Sequence, residues 1–151
     1  MNEKIHKCTV REHQMCSLKI LQVADKICRE NDIPYFLTNG TLLGAVREKG
    51  FISWDDDADL FMLREDYERF CKVFDKYPDS KFFLQNVNTD KGFFLPFLAR
   101  VCMNDTYCWP KGYENEKFHT GLFVDIYPLD YGFSDKFSKY IRRKICNFLH
   151  G

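Results

Sequence analysis

Four aspartates, Asp55, Asp56, Asp57 and Asp59, fall within five consecutive positions of this chain. Two unit charges ~4 Å apart repel by roughly 1 kcal/mol in water and roughly 4 kcal/mol at an effective dielectric of about 20. Carboxylates crowded in this way beside Trp54 and the apolar Leu60, Phe61, Met62 and Leu63 need a cation. Hard divalent ions with oxygen ligands suit such a cluster, Mg²⁺ above all and Mn²⁺ after it. The run 57–63, D-A-D-L-F-M-L, is short and apolar and reads as a buried strand. Residues two apart on a strand share a face, so Asp57 and Asp59 project to one side while Ala58, Leu60 and Met62 turn into a core. A D-x-D pair of this kind is how phosphoryl-transfer enzymes hold a metal ion against phosphate.

The same stretch shows the elements that must position these acids. Residues 33–37 predict a strand, and 41–49 predict a helix stopped by Gly50. Between them a glycine lets the backbone approach a ligand, and free N–H groups at a helix start attract phosphate. Asn39, Gly40 and Thr41 are therefore candidate substrate-binding residues. Arg47 is either a solvated helix-end charge or a phosphate contact, and its place in this unit favours the contact. Trp54 either lies as a lid under the aspartates or packs in the core. Strand, G-T turn, helix and a strand bearing D-x-D follow the order of the polymerase-β-like nucleotidyltransferase fold.

Two longer blocks sharpen that likeness. N-G-T-L-L-G-A-V-R at 39–47, then G-F-I-S-W-D-D-D-A-D at 50–59, resembles the signature of the LicD family, phosphotransferases related to fukutin and the fukutin-related protein. G-L-F-V-D-I-Y-P-L-D at 121–130 resembles that family's second block. The resemblance implies a nucleotidyltransferase-like mixed sheet with helices packed on it, an α/β (α+β) domain. It also implies a third metal carboxylate on a neighbouring strand, a role that fits Asp125. Asp125 is a lone acid among Leu122, Phe123, Val124 and Ile126, and a buried carboxylate is costly unless paired or bound to metal. The alternatives are a carboxylate facing solvent, or a structural pair with an arginine such as Arg100. Arg100 on its own reads equally as a surface charge or a second phosphate ligand.

The bulk numbers exclude other classes. Lys plus Arg is 22 and Asp plus Glu is 22, so no basic excess marks a nucleic-acid binder. Aromatics reach 17%, with 15 Phe, read mostly as core. Seven cysteines show no C-x-x-C pair and no zinc or disulfide spacing, so they read as reduced, mostly buried thiols of a cytoplasmic protein. Residues 1–13 are polar and mixed in charge, unlike a signal peptide, and no apolar run approaches the ~20 residues of a membrane span.

The remaining chain supplies supports. Residues 9–31 predict an apolar-striped helix over the sheet, structural in role. Residues 64–76 predict a second, with Tyr67, Phe70, Cys71 and Phe74 on its apolar face. Strands are predicted at 81–86, at 93–103 with Pro96 at an edge or bulge, and at 121–127, ended by Pro128. Residues 104–120 read as a long loop in which His119 is expected to lack a special partner, while Asp130 is expected to cap a turn or helix. Residues 134–149 predict a basic amphipathic helix that packs on the domain or lies peripherally on the inner face of an anionic membrane.

One domain spans 1–151, a short form or fragment of a family whose members usually continue with more helical sequence. The resemblance implies Mg²⁺-dependent transfer of a phosphorylated alcohol, typically phosphocholine from CDP-choline, to a sugar hydroxyl of a cell-surface glycan such as lipopolysaccharide or teichoic acid. Asp57, Asp59 and Asp125 would hold the metal, and one of these, Asp55 or Asp56 would accept the hydroxyl proton. Trp54, Tyr107 or Trp109 would meet a choline cation. The rivals are transfer of a nucleoside monophosphate by the same acids, and a non-catalytic nucleotide- or glycan-binding domain.

Overall fold

The chain is described by a computed structural model over residues 7–77, 79–108 and 117–132. The expected basic helix at 134–149, Trp109 and Cys146 lie outside the described residues.

Helix α1 (Val10–Glu30) starts at Thr9, whose Oγ1 accepts from the Glu12 N–H while the Glu12 carboxylate accepts from the Thr9 N–H. Such a reciprocal cap stabilises a helix by ~1 kcal/mol. β1 (Phe36–Leu37) and α2 (Asn39–Arg47) lead to β2 (Asp59–Leu63), which runs directly into α3 (Arg64–Phe74). β3 (Phe82–Gln85), β4 (Ala99–Met103) and β5 (Phe123–Leu129) complete a five-stranded sheet of order β1-β2-β5-β4-β3. β2 and β5 are parallel and the other neighbours antiparallel, so this is a mixed sheet in an α+β domain.

Strand alternation sorts the sheet into two faces. Leu60, Met62, Leu84, Val101, Val124 and Ile126 face one way and join Ile20, Ala24 and Ile27 of α1 and Phe70 and Phe74 of α3 in the core. The other face carries a polar row in register, Gln85 on β3, Arg100 on β4, Asp125 on β5 and Asp59 on β2. These four are 1%, 8%, 8% and 7% exposed, so the row is buried as deeply as much of the core. A buried polar row needs partners for every charge.

Several boundaries differ from the sequence reading, each for a local reason. β1 has two residues rather than five, since Pro34 offers no N–H to a ladder. α2 begins at Asn39 and stops at Arg47, so Gly40 lies within its first turn instead of before it. β2 begins at Asp59, so Asp57 belongs to the preceding loop and not to the strand. Residues 93–98 are not strand: β4 sits between two neighbours, and Pro96 cannot serve such a position. Pro128, expected to end β5, lies inside it. The Asp125 N–H points to β2, where it meets the Ala58 carbonyl, so alternation turns the Pro128 nitrogen to the opposite side. There β4 has already ended, its Ala99 standing opposite Ile126. The missing N–H leaves no ladder bond unmade.

Candidate active site

Asp59 opens β2 and is held from two sides by α2. The Thr41 hydroxyl accepts from its backbone N–H at 2.9 Å, and Asn39 Nδ2 donates to its carboxylate Oδ2 at 2.9 Å. Asn39 has φ 48°, a left-handed conformation that asparagine tolerates better than most residues. Two residues expected to touch substrate thus anchor the strand's acid and aim it. Burial pushes the Asp59 pKa up, the Asn39 bond opposes this, and Asp57 adds to it.

Asp125 lies beside Asp59 on the parallel neighbour, and on its other side meets Arg100. Arg100 Nε donates to Oδ1 at 2.6 Å and Nη2 to Oδ2 at 3.3 Å. The guanidinium lies 3.8 Å from the Phe123 ring centroid and 5.5 Å from that of Phe93. Burial pushes the Asp125 pKa up and Arg100 pulls it down, with Asp59 and Asp57 adding smaller upward pushes. Asp125 therefore has the arginine partner and also stands next to the D-x-D pair.

The other acids occupy the loop between α2 and β2. Asp55 is half-buried, and Asp56 and Asp57 are exposed. Burial raises the Asp55 pKa, followed by a hydrogen bond with Asp57 and repulsion from Asp57, Asp56 and Asp59. Asp56 turns toward His13 of α1, 3.9 Å away. Among the described residues no lysine or arginine pairs with Asp55, Asp57 or Asp59.

Gly40 makes room for this loop, because a Cβ there would strike the Asp55 carboxylate. At Gly44 a Cβ would meet the Gly50 carbonyl oxygen at 2.5 Å and the Ile52 nitrogen at 3.0 Å. The first obstacle is the end of a side chain and the second is backbone, so the two glycines should behave differently. Gly44→Ala should destabilise the fold by about 1–3 kcal/mol in urea titrations. Gly40→Ala should stay near wild-type stability and lose activity through a displaced Asp55; wild-type turnover in that variant would show the glycine to be incidental.

The remaining expected residues scatter. Arg47 pairs with Glu48 at the far end of α2, roughly 10 Å of helix from Gly40. Trp54 is 72% exposed at the tip of a turn, neither under the aspartates nor in the core. Tyr107 is exposed, and Asp130 forms a two-bond ion pair with Arg64. His119 has specific partners: it stacks on Phe83, its Nδ1 accepts from the Gly121 N–H, and its Nε2 lies 2.7 Å from Asn104 Oδ1. Those bonds fit a neutral ring protonated at Nε2, and burial pushes its pKa down. Of the described cysteines, Cys28 and Cys102 are buried, Cys16, Cys71 and Cys108 are half-buried and Cys8 is exposed.

A metal's fit follows from charge and ligand type. Asp55, Asp57 and Asp59, which pair with no lysine or arginine among the described residues, offer the oxygen donors a hard divalent ion takes. As the side chains stand, no three acids, histidines or cysteines among the described residues converge on one point. The surface grooves found elsewhere on the domain, such as one of about 420 Å³ between α3 and the segment after β3, contain none of these aspartates. Among the described residues, register and charge mark the site.

Gln14 was invisible to the sequence reading. Its Nε2 donates to the carbonyls of Ile52 and Asp55, at a separation of about forty residues. The signal available was a polar side chain at a stripe position, one turn before the buried Ser17 on the inner side of α1.

By class this is a mixed-sheet α+β domain with buried acids on two adjacent parallel strands and an acidic loop at their mouth. The family described as LicD/FKTN/FKRP, nucleotidyltransferase domain, matches residues 32–145, and the chain belongs to it. It is 49% identical over 67 residues to the lipopolysaccharide cholinephosphotransferase LicD of Haemophilus influenzae, covering 44% of this chain and 25% of that protein. It is 27% identical over 134 residues to an uncharacterised protein of Rickettsia typhi, covering 88% of this chain and 40% of the relative. A second uncharacterised protein, of Rickettsia prowazekii, is 35% identical over 66 residues, covering 43% and 25%. The chain thus spans well under half the length of the curated relatives it matches. Among the described residues no helix is long and apolar enough to cross a membrane.

Proposed function

We propose that the domain transfers a phosphorylated alcohol from a CDP-alcohol, phosphocholine from CDP-choline in the first instance, to a sugar hydroxyl of a surface glycan such as lipopolysaccharide or teichoic acid. The observation that carries this reading is the register of Asp59 beside Asp125, with Asp55 and Asp57 at their mouth, in a chain that shares its family with a cholinephosphotransferase. Asp57 and Asp59 would hold Mg²⁺ or Mn²⁺, with Asp125 as third ligand. When bound, the ion supplies charge neutralisation on the donor diphosphate.

The chain's own residues do the rest. Asn39 and Thr41 fix the Asp59 carboxylate and its backbone, and Arg100 holds the Asp125 carboxylate at two points inside the sheet and opposes the upward push of burial on its pKa. The acceptor hydroxyl oxygen attacks the phosphorus that carries the alcohol, the bond to the bridging oxygen breaks, and CMP leaves. Asp55, whose pKa burial and Asp57 push up, is the candidate to take the hydroxyl proton. Trp54 and Tyr107 offer exposed rings to a quaternary ammonium group. The setting proposed is cytoplasmic, with peripheral contact at the inner face of the membrane where a lipid-linked acceptor would lie.

The test is divalent-metal-dependent CMP release from CDP-choline, CDP-ribitol and CDP-glycerol. Label placed on the phosphate next to the alcohol should reach the acceptor, while label on the phosphate next to cytidine stays in CMP. Cytidine-side label on the acceptor would instead establish nucleotidyl transfer. Absence of metal-dependent turnover with every donor would leave a binding domain.

A further inference from the structure

Helix α1 does more than cover the sheet. Gln14 lies on its inner side, 4% exposed, and donates to the Ile52 carbonyl at 2.9 Å and the Asp55 carbonyl at 2.8 Å. These carbonyls bracket one tight turn, closed by the Asp55 N–H donating to Ile52 O at 3.1 Å. A primary amide has two N–H groups, and this turn engages both.

The loop has little else to hold it. Between Ile52 and Ala58 no residue is buried: Ser53, Trp54, Asp56 and Asp57 are exposed and Asp55 is half-buried. Loop order must come from polar contacts, and from α1 Gln14 supplies two hydrogen bonds to the loop backbone, while His13 stands 3.9 Å from the exposed Asp56 carboxylate. On the opposite side the missing Cβ of Gly40 leaves space for the Asp55 carboxylate. Asp55 is thus fixed through its backbone by α1 and given its side-chain position by α2. Asp57, two residues on, is close enough to that carboxylate to push its pKa up.

We infer that Gln14 is a positioning residue for the acidic loop: its amide fixes the 52–55 turn so that the Asp55 carboxylate stands over Gly40 and against Asp57. The consequence for catalysis rests on the proposed reading of these carboxylates as metal and substrate groups. A group that orients ligating side chains from behind typically controls about 10- to 100-fold in metal affinity or activity. Its effect also falls on the transition state, because a loosened loop still collects substrate but misaligns the acids.

The test uses the whole chain with Gln14→Met, which keeps volume and removes both donors, and with Gln14→Glu, which keeps shape and places a carboxylate against two carbonyls. Ile27→Val, a core change on the same helix, serves as a control for stability loss. Three quantities are read: amide exchange at Asp55, Mn²⁺ affinity without nucleotide, and the kcat and KM of CMP release. Both Gln14 variants should speed exchange at Asp55, weaken Mn²⁺ binding by about 10- to 100-fold and lower kcat with little change in KM, while Ile27→Val leaves all three as in wild type. Unchanged exchange at Asp55 overturns the positioning role outright, and faster exchange with wild-type Mn²⁺ affinity and kcat overturns its link to the site. If wild type itself binds no Mn²⁺, the metal reading falls separately, and the exchange result alone then decides whether Gln14 fixes the loop.

Discussion

Arg100→Met should lower the stability of the domain by about 3–5 kcal/mol, the penalty for stranding one charge of a buried pair. Arg100 and Asp125 have side chains 10% and 11% exposed and sit in register on adjacent strands, so neither can turn to water without leaving the sheet. The loss should be seen in EDTA, where no metal ion neutralises the stranded Asp125 carboxylate. Arg100→Met with Asp125→Leu together should recover most of the stability and none of the activity, because a charge-free pair of similar volume is near neutral. A single Arg100→Met that melts within about 1 kcal/mol of wild type would mean that the pair is solvated and the polar row open. The same logic bears on Asp125→Asn. That change leaves Arg100 without its countercharge, so its lower melting point in EDTA follows whether or not Asp125 also binds metal. Mn²⁺ affinity, compared between Arg100→Met with Asp125→Leu and wild type, separates the two roles.

The order strand, helix, apolar strand and later acidic strand was legible because apolar runs and breakers mark them directly, although the strand holds only Asp59 of the D-x-D pair. What no local pattern carries is register. That Asp59 faces Asp125 follows from a parallel pairing between segments more than sixty residues apart, and that Arg100 continues the row follows from the antiparallel pairing of β4 with β5. An arginine partner for Asp125 was foreseeable as one of two roles; that the two are compatible was not, since it depends on Asp125 having different neighbours on its two sides. The extension of β4 over 93–98 failed because Phe and Leu content suggested a strand, while Pro96 and an interior position forbade one. Trp54 shows the limit of composition, since hydrophobicity implied cover and the turn at 52–55 turns it outward. Asn39 and Thr41 were found by a phosphate-binding argument and proved to hold Asp59, which still makes them part of the site by another route.

Asp59→Asn should reduce CMP release by two to four orders of magnitude, as expected when several kcal/mol of charge stabilisation is withdrawn. Its stability should move the other way in EDTA. Burial raises the Asp59 pKa above the ordinary 3.8, so the folded state holds its proton to higher pH than the unfolded chain does. The contribution of the group is then favourable below the unfolded value and is lost as pH rises through the folded one. At neutral pH the wild type bears that loss and the asparagine variant does not. The variant should therefore melt at or above wild type at pH 7 without metal, with the gap closing as pH falls toward 4. Mg²⁺ should reverse the order. A ligand bound only by the native state stabilises it by about 2.7 kcal/mol at a hundredfold excess over Kd, and the variant forgoes most of that gain. Thermal melts of both proteins at pH 5 and 7, with EDTA or millimolar Mg²⁺, provide the four comparisons. An Mg²⁺ shift of the same size in Asp59→Asn as in wild type would remove Asp59 from the metal site. A variant that melts well below wild type in EDTA would show that its bond with Asn39 matters to the fold more than the charge it carries.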